Sequence, residues 1–177
     1  MREPTFPIDD REALLEAIRA GKARGVRLPR VDLSGCDLRG VDLSEARLSG
    51  ANLSGADLSH ANLRMAFLDG ANLRGAQLCN ADLEFAVLGG ADLSEADFSG
   101  ANLQRANLVG VVAHRAIFRG ARMYYSRPGN ADFRGALLER ADIQRAIFRR
   151  ANLAGANLRE TTGSANFEKA NLEGAVR

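Results

Sequence analysis

The sequence predicts an all-β solenoid, a coil of short extended segments and turns stacked on itself, preceded by one short helix. Three observations predict it. From Val31 to Glu160 the chain divides into 26 consecutive five-residue blocks without an insertion or deletion. The first residue of a block is Ala in 21 of them and the third is Leu in 18, as in Ala51-Asn52-Leu53-Ser54-Gly55. Gly closes many blocks, among them Gly35, Gly40, Gly50, Gly55, Gly70 and Gly75.

A period of five excludes the ordinary elements. An α-helix turns about 100° per residue, so the repeat would scatter its apolar positions around the whole cylinder. A continuous strand alternates faces at every residue, so an odd period would throw successive Leu residues to opposite sides. What remains is a unit with two inward residues two apart, followed by a corner. Successive corners wind the chain into a coil whose levels pair their backbone groups at roughly 4.8 Å while Ala and Leu fill the axis. Glycines at the corners supply positive φ. Asp or Asn in second place (Asp32, Asn52, Asp57, Asn62, Asn72) can bond nearby backbone or form ladders between levels. No unit of such a coil is stable alone.

Blocks of the form Ala-(Asp/Asn)-Leu followed by two variable residues make the chain resemble the pentapeptide-repeat family over most of its length. The resemblance implies a right-handed quadrilateral β-helix with four blocks per coil and the first and third residues of each block inward. Unusual residues recur twenty apart, Met65 with Phe85, Phe67 with Val87, Phe98 with Phe118 and Ile117 with Leu137, which independently supports a twenty-residue level. At strand spacing the rod is roughly 30 Å long.

Residues 1–30 lie outside the repeat. Asp9 or Asp10 as N-cap, Leu14, Leu15 and Ile18 at helical spacing, and Gly21 beyond the last turn predict a helix that caps the first level. Val26, Leu28 and Pro29 lead into the first block as an irregular opening level. The second segment, residues 31–177, is the repeat coil, with a register break at Thr161-Thr162-Gly163-Ser164, a block of four. With no second helix in the sequence to cover the last coil, that edge is either the contact of a homodimer or a frayed polar terminus. Cys36 takes an inward position and Cys79 an outward one, so no disulfide is expected between them and Cys79 reads as an exposed thiol. No targeting segment or membrane span is read, and the expected location is cytoplasmic.

The net charge of +2 conceals a polarised rod. Residues 31–100 hold four Arg and no Lys against eleven acidic residues, or −7, whereas residues 101–177 hold thirteen basic against six acidic, or +7. Fields of this kind steer charged partners.

Departures from a regular pattern are the places to seek function. The largest cluster runs from Val109 to Pro128, where Val111, Val112, Ala113, Met123 and Pro128 depart from the expected types. Around it lies a candidate interaction patch of Arg105, Arg115, Arg119, Arg122, Tyr124, Tyr125 and Arg127. Tyr beside Arg suits a protein interface or the stacking of a base, and the alternative is drift of the repeat, with Phe133 compensating for the small Ala113. A second departure is a candidate apolar ridge, Met65 and Phe85 at corners with Phe67 and Val87 just beyond them. Such a patch marks a contact surface, unless part of the N-terminal segment folds over it.

Chemistry is absent. His60 and His114 are the only histidines, and no metal-ligand spacing, phosphate-binding loop or nucleophile elbow occurs. No catalytic, cofactor or metal site and no small-molecule substrate are expected. The leading reading is a non-catalytic scaffold for a protein partner. The resemblance to the pentapeptide-repeat family implies a second, because some proteins of that family, the quinolone-resistance proteins among them, mimic DNA and bind DNA gyrase or topoisomerase IV. The acidic first half suits that reading, and the basic second half opposes it. The third is nucleic-acid binding through the basic half.

Overall fold

A computed structural model of the protein describes Phe6 and residues 9–177. Parallel bridges join second-position residues twenty apart, from Arg27↔Arg47 and Asp32↔Asn52 to Asp142↔Thr162. Four blocks therefore close one level. The blocks beginning at Val31, Cys36, Val41 and Ala46 start four faces, here faces 1 to 4, and every later block falls on one of them.

The block 51–55 shows why these residue types recur. Leu53 N–H donates to the carbonyl of Asn72 on the next level at 2.7 Å and Gly55 N–H to that of Arg74 at 2.9 Å. Asn72 N–H returns a bond to Ala51 at 2.9 Å. Ala56 N–H closes the corner on Leu53 at 3.1 Å, and with φ +64° at Gly55 this is the pattern of a type II turn. The remaining donor, Ser54 N–H, goes to the side chain of Asn52 at 3.3 Å. Each N–H of the unit thus has a place, and the second-position Asx supplies the one that the level-to-level pairing leaves over. Many corners carry no Gly, and residues such as Met65, Phe85, Arg105 and Tyr125 hold φ between 55° and 60° there.

The same accounting explains where the coil begins. Leu28, fully buried, donates to Arg47 at 2.8 Å, and Arg30 has φ 58°, so Val26–Arg30 is already a regular block rather than an irregular lead-in. Pro29 is tolerated because it sits in the fourth place, whose N–H takes no part in the level-to-level pairing. Before it stands helix α1, Arg11–Arg19, with Asp10 as N-cap accepting from Glu12 and Ala13. Its Leu14 and Ile18 enter the core of the coil. Arg11 donates to the Ser34 carbonyl at 2.5 Å and Arg19 to that of Asp37 at 3.1 Å, which places the helix over faces 1 and 2. Past Asp142↔Thr162 the bridge spacing falls to nineteen, as in Ile147↔Asn166 and Asn152↔Asn171. Phe167 and Leu172 on this last level are partly buried.

The interior is a column of Leu that gives way to Phe. Phe98 stacks on Phe118 with ring centres 5.0 Å apart, Phe118 meets Phe133 at 5.4 Å, Phe133 meets Phe148 at 5.6 Å, and Phe148 stacks on Phe167 at 5.3 Å. Phe133 of face 1 contacts Phe118 of face 2 on the level before it, the level of the small Ala113. Outside, the second-position residues ladder: the amide of Asn52 donates to Asp32 at 3.1 Å and that of Asn72 to Asn52 at 3.2 Å. On face 2 two carboxylates stack instead, and Arg39 lies between them, 2.7 Å from Asp37 and 3.7 Å from Asp57. Cys36 is a buried free thiol, and Cys79 is partly buried rather than exposed; burial pushes its pKa up.

Phe118 touches aromatic rings above and beside it in a core without slack, so Phe118→Ala should lower the free energy of urea unfolding by about 3–5 kcal/mol. A loss below 1 kcal/mol would mean that the column collapses onto the gap.

Candidate interaction surface

The twenty-residue level places residues far apart in sequence in one column. The corner between faces 3 and 4 carries Glu45, Met65, Phe85, Arg105, Tyr125 and Arg145, one above another. The neighbouring second-position column of face 4 carries Arg47, Phe67, Val87, Asn107, Arg127 and Ile147. Among the described residues seven large hydrophobic side chains are exposed, and all but Val176 belong here: Met65, Phe85 and Tyr125 on the corner, Phe67, Val109 and Ile147 on the face. Met65 is the most open at 52%.

Three arginines of this surface stack on aromatic rings. The Arg105 guanidinium lies 5.3 Å from the centre of the Phe85 ring and 6.0 Å from that of Tyr125, and Arg145 covers the other side of Tyr125 at 5.1 Å. Arg145 also donates to the Tyr125 hydroxyl. Arg47 stands over Phe67 at 5.9 Å, and Tyr124 meets Tyr125 edge-on at 4.5 Å. Other arginines reach carboxylates, Arg64 contacting Asp82 and Glu84, Arg74 Glu95, Arg119 Glu139, Arg140 Glu160 and, on the far edge of face 4, Arg149 Glu168, whereas Arg115, Arg122 and Arg159 form no such pair among the described residues. Among the described residues Arg47, Arg105, Arg127 and Arg145 form no such pair.

The structure thus joins the apolar ridge to part of the Tyr and Arg cluster and separates the rest. Met65, Phe67, Phe85 and Val87 continue along the axis into Arg105, Tyr125 and Arg127, with Tyr124 alongside. Arg122 lies on face 3, bridged between Asn102 and Asp142. Arg119 on face 2 is paired with Glu139, and Arg115 occupies the corner after face 1. Helix α1 covers faces 1 and 2, so it leaves the ridge open. Arg47, Val109, Arg145 and Ile147 belong to the surface although the sequence reading left them out; stepping by twenty from Met65 or Arg127 finds three of them, and Val109 lies two residues after the column position Asn107.

Beneath the basic end the backbone is compromised. Pro128 is buried in the third place of its block, where the N–H should have reached the next level. The Arg127↔Ile147 bridge is accordingly missing from an otherwise continuous series, and the Leu108 bond to Arg127 lengthens to 3.2 Å. Ser126 replaces Ala in the first place of the same block, and its buried hydroxyl has no hydrogen-bond partner.

On face 1, His114 packs against a carboxylate. Its Nε2 lies 2.7 Å from Asp132, and Arg134 holds the same carboxylate at 2.8 Å. Burial raises the Asp132 pKa, but the bonds from Arg134 and His114 lower it more, to about 2. Among the described residues no group of His, Cys, Asp and Glu could hold a metal ion, and no helix is long and apolar enough to cross a membrane.

Two predictions follow from these sites. Removing the unpartnered hydroxyl in Ser126→Ala should stabilise the protein by about 1 kcal/mol in urea unfolding, whereas destabilisation would show that the hydroxyl has a partner. Asp132 is lowered from an unfolded value of about 3.9, so its contribution is complete above pH ~4 and is lost as pH falls toward 2. Asp132→Asn should flatten the decline of the thermal midpoint between pH 5 and 2.5; an unchanged slope would dismiss this coupling.

Pentapeptide repeats match the chain in eight copies over residues 27–64, 56–94, 91–127 and 129–162, stretches that leave out only Pro128 between the first residue and the last. No curated protein matches it. Among solved structures it is similar to HetL from the cyanobacterium Nostoc sp. strain PCC 7120, a pentapeptide repeat protein involved in heterocyst differentiation regulation, at 26% identity over 93% of each chain with a TM-score of 0.69. A pentapeptide repeat protein of the Arabidopsis thaliana thylakoid lumen is 34% identical over 66% of this chain and 70% of its own, with a TM-score of 0.34. QnrB1, a plasmid-mediated fluoroquinolone resistance protein, is 20% identical over 86% of each chain with a TM-score of 0.37. A repeat matched over this span, with the bridge spacing and corner geometry described above, decides the matter: the chain belongs to the pentapeptide-repeat family.

Proposed function

We propose that the protein is a non-catalytic scaffold that binds a protein partner through face 4 and the corner before it. The observation that carries this reading is the segregation of exposed apolar side chains to one side of the rod, among arginines without carboxylate partners. Exposed apolar side chains gathered on one side mark a contact surface, and aromatic residues with Arg are the types that dominate interface energetics. A rod of hydrogen-bonded levels holds these groups at fixed spacing before binding, which lowers the ordering cost of association. The packed Ala, Leu and Phe axis supports a scaffold rather than an enzyme, because it offers no enclosed polar cleft.

The finer architecture belongs to the same reading. The four-faced coil is taken as the right-handed quadrilateral β-helix of the family, with the repeat coil beginning at Val26 rather than Val31 and helix α1 before it acting as the cap. The free thiols Cys36 and Cys79 suit a reducing, cytoplasmic compartment. A second copy seated on the partly buried Phe167 and Leu172 would make the homodimer. The unpaired arginines of the binding face oppose DNA mimicry, since a mimic needs a continuous negative surface toward its target.

Capture from cell extract tests the face. Phe67→Ser with Phe85→Ser should abolish recovery of the partner that wild type retains, while Asp57→Ser with Gln77→Ser, on the opposite face, should leave it intact. Equal recovery by all three proteins would eliminate face 4 as the contact.

A further inference from the structure

We propose that the partner element on face 4 is an acidic amphipathic helix lying along the rod axis, its apolar residues on Met65, Phe67 and Phe85 and its carboxylates on Arg105, Arg127 and Arg145. This rests on the scaffold reading and assigns the chemistry of its partner. Charge complementarity is the first argument. Along the corner column Met65 and Phe85 precede Arg105 and Arg145, with Arg127 on the adjoining column, and the guanidinium groups of these three arginines meet no carboxylate of this chain among the described residues. Two of them, Arg105 and Arg145, lie over aromatic rings, which fixes the plane of each guanidinium and leaves N–H donors at its edge for an incoming acid. The stretch between Gln104 and Ala131, which holds Arg105 and Arg127, contains no acidic residue.

Dimensions are the second argument. From Met65 to Arg145 the corner climbs four levels, about 19 Å at strand spacing, which is the length of a helix of about 13 residues. One helical turn rises 5.4 Å against about 4.8 Å per level, so residues one turn apart meet successive levels with little mismatch over this span. A helix therefore presents one side chain per level to the corner and one to the second-position column. An acidic helix with its apolar stripe at one end and carboxylates at the other matches the order Met65, Phe85, Arg105, Tyr125, Arg145 read along the axis. A single strand of nucleic acid would use Tyr124, Tyr125 and the arginines, but it would leave Met65, Phe67 and Ile147 in water.

The full chain, immobilised and panned against a phage-displayed library of random 16-residue peptides, provides the test. The enriched sequences should carry apolar residues three or four apart in one half and Asp or Glu in the other. Binding of the strongest enriched peptide, followed by fluorescence polarisation, should weaken at least tenfold in Arg105→Glu with Arg145→Glu and recover when the peptide carboxylates are changed to Lys. Circular dichroism of the variant should keep the wild-type spectrum at 25 °C, with a melting midpoint lowered only as far as loss of the Arg145 stack on Tyr125 requires. Absence of enrichment, enrichment of basic or uncharged peptides, or an affinity indifferent to the arginine changes would overturn the proposal. So would displacement of the peptide by a twenty-nucleotide oligo-dT at equal concentration, which would assign the face to nucleic acid. Peptides without carboxylates that still lose binding in Phe67→Ser with Phe85→Ser would refute only the acidic partner, whereas peptides that bind this variant normally would refute the face itself.

Discussion

The hydrogen bonds between levels are the constraint on which every other feature depends. A level closes only when four blocks bring the N–H groups of the second, third and fifth places opposite carbonyls of neighbouring levels, so its length is set at twenty residues and every column on the surface follows from it. The block Thr161–Ser164 shows how strict this is. One residue is missing, and the chain absorbs the loss inside a single level by reducing the bridge spacing to nineteen. Gly163 makes that possible: with φ 80° it approaches Gln144 so closely that a Cβ would fall 2.5 Å from the Cβ of that residue. Elsewhere most corner glycines have open space around them, and the backbone conformation alone asks for them.

That constraint also explains what the sequence could and could not disclose. The inward Ala and Leu and the Asx role follow from local geometry and recur in most blocks, and a few successive blocks already display the period of five. The length of a level is a long-range property, yet it too was visible, in the pairs Phe67 with Val87 and Ile117 with Leu137, which the structure joins by bridges. The opening block at Val26 escaped because it has neither Ala nor Asx; its membership rests on the bonds of Leu28 and the φ of Arg30. The surface escaped for a different reason. Arg105, Arg115 and Arg119 look like one cluster along the chain, but five residues along the chain move a side chain to the next face, while twenty return it to the same column. Adjacency in sequence separates residues here, and distance in steps of twenty unites them.

The proposed binding face lies over the break in the bridge series at Pro128, and the side chains on it bear on that break. Pro128 removes a bond between the levels of Arg127 and Ile147, and Ser126 adds an unsatisfied hydroxyl beneath them. A net hydrogen bond of this kind is worth about 1 kcal/mol. Across the same two levels, at the adjoining corner, Arg145 stacks on Tyr125 and donates to its hydroxyl. An exposed cation–π contact contributes about 0.5–1 kcal/mol, so the stack outside roughly offsets the bond lost inside. Tyr125 and Arg145 then hold the levels together and present the binding chemistry at once. Coupling of this kind makes local stability respond to occupancy: a partner that engages the Arg145 guanidinium draws on the contact that closes the gap left by Pro128, and one that packs on the Tyr125 ring reinforces it. Hydrogen exchange at Ile147 and Asn130 reports on that gap, because both amides lie on the levels that the missing bridge should have tied.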